Sequence, residues 1–262
     1  MVNFKERLNL VRSILTNCPY ETQKEKIVEL FEITKNNTSK EDILLRLFVV
    51  DSCYSTNMNR RLFGFEELAN LIFEIDSKLD ENINVKKFIE SSLKLLDYPV
   101  GIDKKGKSKG HAFSLITKYI YFKTKFNFPI YDRLVFDGLR EEGLVELPRN
   151  PSKEYFKRLG AIKDKYKVSF DDLDKYFWVC GKIRKGSLSL LISDKESYVD
   201  FLDKLNLSDE ELKLESGEFD LMLSRKLISK KEDIFDNQKF KNIQKLAKSI
   251  ESEKMFGGLS KS

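Results

Sequence analysis

The sequence predicts an all-α protein, and three observations carry that expectation. Lys, Leu, Glu and Ile supply the bulk of the 262 residues; Pro and Gly are sparse, at 5 and 12; and apolar residues recur at helical spacing from the first turn onward. A hydrophobic fraction of 41%, with 20 Phe and 10 Tyr, gives ample surface for a core and excludes a disordered chain. No run of about 18 uncharged apolar residues is present, so no membrane-spanning helix is expected. The length allows one large domain or two small ones.

Taken in order, Phe4, Leu8, Val11 and Leu15 place a helix over residues 4–16. A second is expected over 21–34, with Ile27, Leu30 and Phe31 on one face. Asn36 to Ser39 breaks the chain, and Ser39 with Asp42 reads as a capping box for the next helix. That helix, 40–53, is apolar nearly all round (Ile43, Leu44, Leu45, Leu47, Phe48, Val49, Val50), the pattern of a central helix. Helices follow over 66–78 and 86–96. After the glycine- and lysine-rich stretch 97–110 comes an aromatic helix over 111–123, and Pro129 prevents its continuation. Further helices are expected over 133–142, 152–166 and 171–180. From Asp194 the chain turns slightly acidic, with short helices over 195–205 and 209–214 and a longer one over 237–251. The expected organisation is a helical domain over 1–193, with its core at about 40–190, and a C-terminal helical extension over 194–262.

The chemistry open to such a chain is narrow. Cys18, Cys53 and Cys180 are odd in number and far apart, which argues against a disulfide framework or a four-thiolate metal site. His111 is the only histidine, so most multi-histidine metal sites, and any nucleophile–histidine chemistry that needs a second histidine, are excluded. The N-terminal residues lack the apolar core of a signal peptide, and a cytoplasmic, reduced setting is expected. Carboxylates, lysines and aromatics remain as working groups, and no cofactor is implied.

The charge is local. The chain carries a formal +5, yet residues 103–133 hold eight basic side chains against Asp103 and Asp132, a net of +6. Lys104, Lys105, Lys107 and Lys109 surround Gly106 and Gly110 just before His111. A loop of this kind at a helix start offers backbone N–H groups and a helix dipole to phosphates, and such contacts position a protein on DNA without reading sequence. It could equally be a solvated loop in a lysine-rich chain. Gly101 to Ser108 also matches the P-loop pattern literally, but no alternation of strands and helices accompanies it, so nucleotide binding stands as a third, weaker reading.

Three segments carry a resemblance. Phe48 to Asn57 reads as a buried helix ending in small polar and amide residues. Ala112 to Tyr119, followed by Phe128-Pro129-Ile130-Tyr131-Asp132, reads as an apolar helix, a Pro-containing turn and an Asp at the cap of the next helix. Leu173 to Lys182 reads as a closing helix. Together they resemble the helix-hairpin-helix DNA glycosylases, in particular the branch with the 8-oxoguanine glycosylase fold, over about residues 40–190. The resemblance implies a two-lobed helical bundle and a DNA-repair hydrolase. Its substrate would be duplex DNA, with a damaged or modified base flipped out and its base–sugar bond hydrolysed.

By the same resemblance Asp132 is the catalytic carboxylate, stabilising positive charge that develops on the sugar. As a plain residue it could also cap the helix that follows. The family's Schiff-base lysine would fall at Phe113 or Ser114, and neither is a lysine, which points to a monofunctional enzyme. Lys118 lies one helical turn after Ser114. It could act as a desolvated nucleophile or bind a phosphate, but a supporting ion pair with an acid such as Asp132 is favoured. His111 could contact a phosphate or a base, or equally serve as a cap or turn residue; Tyr54, Asn57 and Arg60 could stand near the flipped base or fill the gap it leaves, and Asn57 could equally end its helix. Tyr119, Tyr121, Phe122 and Trp178 are expected in the core. The alternative is a non-catalytic DNA-binding or interaction module that kept the fold, in a defence or restriction setting.

Overall fold

The computed structural model describes residues 3–16, 19–35, 38–54, 64–96, 98–102, 108–144 and 153–184, and near the C-terminus 242, 245–246 and 248–250. Among these stand nine helices: α1 (Phe4–Leu15), α2 (Pro19–Ile33), α3 (Lys40–Cys53), α4 (Phe65–Asp76), α5 (Val85–Leu96), α6 (Phe113–Lys123), α7 (Arg133–Glu141), α8 (Lys153–Tyr166) and α9 (Phe170–Arg184). The all-α expectation holds. One short antiparallel pair is added to it, β1 (Pro99–Ile102) with β2 (Ser108–His111). The helices expected at 195–205 and 209–214 lie outside the described residues, and the described residues between 242 and 250 are helical.

Local signals account for the helix starts. Asn3 and Glu6 close a capping box on α1 with reciprocal 3.0 Å bonds. Ser39 and Asp42 do so on α3, as their spacing suggests. The Ser39 amide, helped by its hydroxyl, holds the Asp42 carboxyl below its ordinary range.

The chain divides into two compact units that do not follow chain order. One comprises Gln23–Asp132 with Pro148–Asp174; the other comprises Met1–Thr22, Arg133–Leu147 and Lys175–Ser262.

In the first unit the central helix is α6, not α3. Nine of its residues, from Phe113 to Phe122 with only Ser114 excepted, are buried. Tyr119, Tyr121 and Phe122 are core residues, as expected. α3 buries a single stripe, Ile43, Arg46, Leu47, Val50 and Asp51, and leaves Leu45 and Phe48 exposed at 47% and 45%. The stripe is selected by Arg46, a polar residue inside the apolar run. Its guanidinium is fully buried and donates to the Thr34 carbonyl (2.6 Å), the Thr34 hydroxyl (2.8 Å) and the Tyr119 hydroxyl (3.2 Å), over the face of Phe31. Tyr119 in turn donates to Asp76, which also receives Lys123. A second cluster joins Lys24 and Tyr121 to Asp171.

In the second unit Arg7 of α1 is buried and donates to Glu142 (2.9 Å) and to the Ser249 carbonyl (2.6 Å), while Tyr176 donates to Glu142 (2.6 Å). Asn242 donates to Ser13 (2.8 Å). α7 and α9 approach backbone to backbone. A Cβ at Gly138 would stand 2.1 Å from the Phe177 carbonyl oxygen, and one at Gly181 would stand 2.2 Å from that of Leu134. Trp178 is half-buried, with Lys182 over its ring, rather than in the core.

Candidate functional site

α6 positions the site. Ser114, Thr117 and Lys118 share one face of it, at spacings of three and four residues. The helix ends at Thr124, and the chain reverses through Lys125 and Phe126, both with positive φ (48° and 70°). Pro129 keeps the next stretch out of a helix, and Tyr131 and Asp132 return beside α6.

There the two residues assigned to catalysis meet. Lys118 Nζ donates to Asp132 Oδ2 at 2.7 Å and to the Ser114 hydroxyl at 3.0 Å. The lysine side chain is 2% exposed and the aspartate 21%, so the cation is interior and its carboxylate partner reaches solvent. The Tyr54 ring lies 5.2 Å from the ammonium. The Tyr131 amide donates to the Thr117 hydroxyl oxygen (3.0 Å), and the Tyr131 ring packs against Phe113 and Tyr155. Tyr155 donates its hydroxyl to the Ile130 carbonyl (2.7 Å). Burial, reinforced by the carboxylates of Asp174 and Asp132, pushes the Tyr155 hydroxyl well above its usual pKa. It is therefore a permanent donor at neutral pH.

The expected phosphate cradle takes a different form. Residues 99–102 and 108–111 are paired strands, not a loop running into a helix. Ser108 pairs with Ile102, Gly110 with Val100 and His111 with Pro99, and the Ala112 amide donates to the Tyr98 carbonyl (2.9 Å). Gly110 and Lys109 therefore stand in a strand, and His111 is its exposed last residue instead of the first residue of α6. This arrangement also removes the P-loop reading, because a P-loop runs from its glycines straight into a helix and Ser108 instead opens a strand. It likewise differs from the compact glycine turn of a helix-hairpin-helix, since a β-hairpin separates α5 from α6. Lys104, Lys105, Gly106 and Lys107, and Asn57 and Arg60, lie outside the described residues.

Sequence reasoning missed Thr117 and Tyr155 and gave Ser114 no role. Their common signal is polar groups inside apolar helices, in register with Lys118 or with the Pro129 turn. A separate groove of about 660 Å³ opens between α5 and α8, floored by Ile89, Phe156 and Phe170, and it contains neither Lys118 nor Asp132. Among the described residues no three His, Cys, Asp or Glu side chains cluster as metal ligands. No helix among them is long and apolar enough to cross a membrane.

Comparison with known proteins gives one match. The family model HI_0787_N, described as an N-terminal domain, matches residues 3–126, which takes in Lys118 and stops short of Asp132. No curated protein and no solved structure shows a significant match.

Proposed function

We propose that the protein binds duplex DNA and hydrolyses the N-glycosidic bond of a damaged or modified base flipped from the stack, with Asp132 as its catalytic carboxylate. The observation that carries this is the 2.7 Å contact that holds a part-exposed Asp132 against the buried Lys118 ammonium. Breaking the bond from C1′ to the base nitrogen leaves positive charge on the sugar, and a carboxylate fixed beside it lowers that barrier. The bond's electron pair departs with the base. Water adds to C1′, and its proton passes to Asp132 and on to the base. Lys118 holds the carboxylate in place. With Asp132 and Ser114 engaging its amine, it is a poor candidate for a covalent intermediate, so the product is an abasic site with an intact backbone. Lys104, Lys105, Lys107, Lys109 and His111 take the role of phosphate contacts, and a DNA substrate implies an intracellular, nucleoid-associated protein.

The same ion pair favours a second reading, in which it is purely structural and the protein binds DNA without chemistry. One experiment separates the two. The protein and Asp132→Asn are incubated with duplexes carrying different altered bases, with borohydride present in a parallel set. Base release that is lost in Asp132→Asn, with no trapped adduct, supports hydrolysis. A trapped adduct would replace the hydrolytic route by a covalent one. Salt-sensitive binding with no release from any duplex would leave only the binding module.

A further inference from the structure

We infer that Thr117 is the residue that positions the Asp132 carboxylate, acting through the backbone of Tyr131. The inference rests on the glycosidic reading above. Two neighbouring rungs join α6 to the turn. In one, the Tyr131 amide donates to the Thr117 hydroxyl oxygen at 3.0 Å; in the other, Lys118 donates to Asp132 at 2.7 Å. The rungs involve consecutive residues on both sides, so the first fixes the backbone from which the second's carboxylate projects.

Thr117 is suited to this. It is fully buried on the central helix, and its hydroxyl proton is committed to the helix itself, to the Phe113 carbonyl at 3.0 Å or the Ser114 carbonyl at 3.1 Å. With the proton spent there, a lone pair faces the turn and accepts the Tyr131 amide. The Lys118 contact acts on a carboxylate oxygen at the tip of the side chain, whereas the Thr117 contact acts on the backbone one residue earlier. Tyr155 closes the turn from the other side, through the Ile130 carbonyl. Asp132 is thereby tied at its backbone and at its side chain, as a group that must face a short-lived charge requires.

The test compares Thr117→Val, which keeps the shape and removes the acceptor, with Thr117→Ser, which keeps the hydroxyl. Single-turnover base release and DNA affinity are measured on the full chain, together with amide hydrogen exchange at Tyr131. Thr117→Val should slow release about 10- to 100-fold, the scale expected for an ångström of misplacement, with DNA affinity unchanged and Tyr131 exchanging faster. Thr117→Ser should restore both rate and protection. Should Thr117→Val not fold, Thr117→Ala removes the same acceptor and carries the same expectation. Undiminished release in the valine or alanine variant overturns the inference, and so does a serine variant as impaired as valine. If the parent protein releases no base from any duplex, the glycosidic reading fails, while Tyr131 exchange still decides whether Thr117 sets the turn.

Discussion

Converting Asp132 to Asn removes one charge and leaves the Lys118 ammonium in the interior, 2% exposed. At 2.7 Å and an effective dielectric of about 20, the lost attraction is about 6 kcal/mol before desolvation is counted. Breaking a buried pair from one side costs about 3–5 kcal/mol. Asp132 retains some solvent contact, and the Asn carbonyl can still accept from Lys118, so about 2–3 kcal/mol is expected, or a fall of about 4–12 °C in Tm. The assay is thermal and urea unfolding of Asp132→Asn, Lys118→Met and the double variant. Because the cost lies in an unpaired charge, the double variant should be no less stable than Asp132→Asn. Additive losses, or a single-variant cost below about 0.5 kcal/mol, would refute the idea that burial governs the pair. The predicted loss also fixes the conditions for the base-release comparison, which belongs well below the melting transition.

Other outcomes follow from the packing. Gly138→Ala and Gly181→Ala should each destabilise by about 1–3 kcal/mol in urea unfolding, since their Cβ atoms meet backbone oxygens. Gly160→Ala, whose Cβ meets nothing within 4 Å, should stabilise α8 by about 0.5–1 kcal/mol. Arg46→Met should lower stability by about 3–5 kcal/mol, because it removes a buried guanidinium that donates to the Thr34 carbonyl and hydroxyl and to Tyr119 and stands 3.9 Å from Asp76. Burial raises the hydroxyl pKa values of Tyr119, Tyr121, Tyr155 and Tyr176 above their ordinary 10. A raised folded-state value contributes stability that is complete below pH 10 and is lost as pH climbs toward the folded value. Ultraviolet titration should therefore show these four ionising only together with alkaline unfolding; early, reversible ionisation of all ten tyrosines would contradict the burial.

The helices were legible where one face is apolar and a cap marks the start, as at Ser39 and Asp42. The Lys118–Asp132 pair was legible too, as a candidate, because Lys118 lies on an aromatic, apolar helix and the Pro129 turn that follows it ends in Asp132. What escaped was set by contacts distant in sequence. Arg46 turns an apolar run into a one-sided helix only because Thr34 and Tyr119 are there to receive it. Pro99–Ile102 and Ser108–His111 pair as strands although Gly101, Lys109 and Gly110 have low strand propensity, since cross-strand partners decide that preference more than composition does. Thr117 looked like an ordinary helix residue until the turn came back to meet it.

Arg7 has its own consequence for how the protein is made. Its acceptor on Ser249 lies 242 residues further along the chain. The unit built from Gln23–Asp132 and Pro148–Asp174 has all its residues once position 174 is synthesised, whereas the unit containing α1 must wait for the chain near 249. At about 5–20 residues per second, the 75 residues between take about 4–15 s, long enough for the first unit to close while α1 still presents an incompletely partnered guanidinium. Order of synthesis and order of completion therefore run opposite here: α1 is made before the unit of Gln23–Asp132 and Pro148–Asp174 and finished after it.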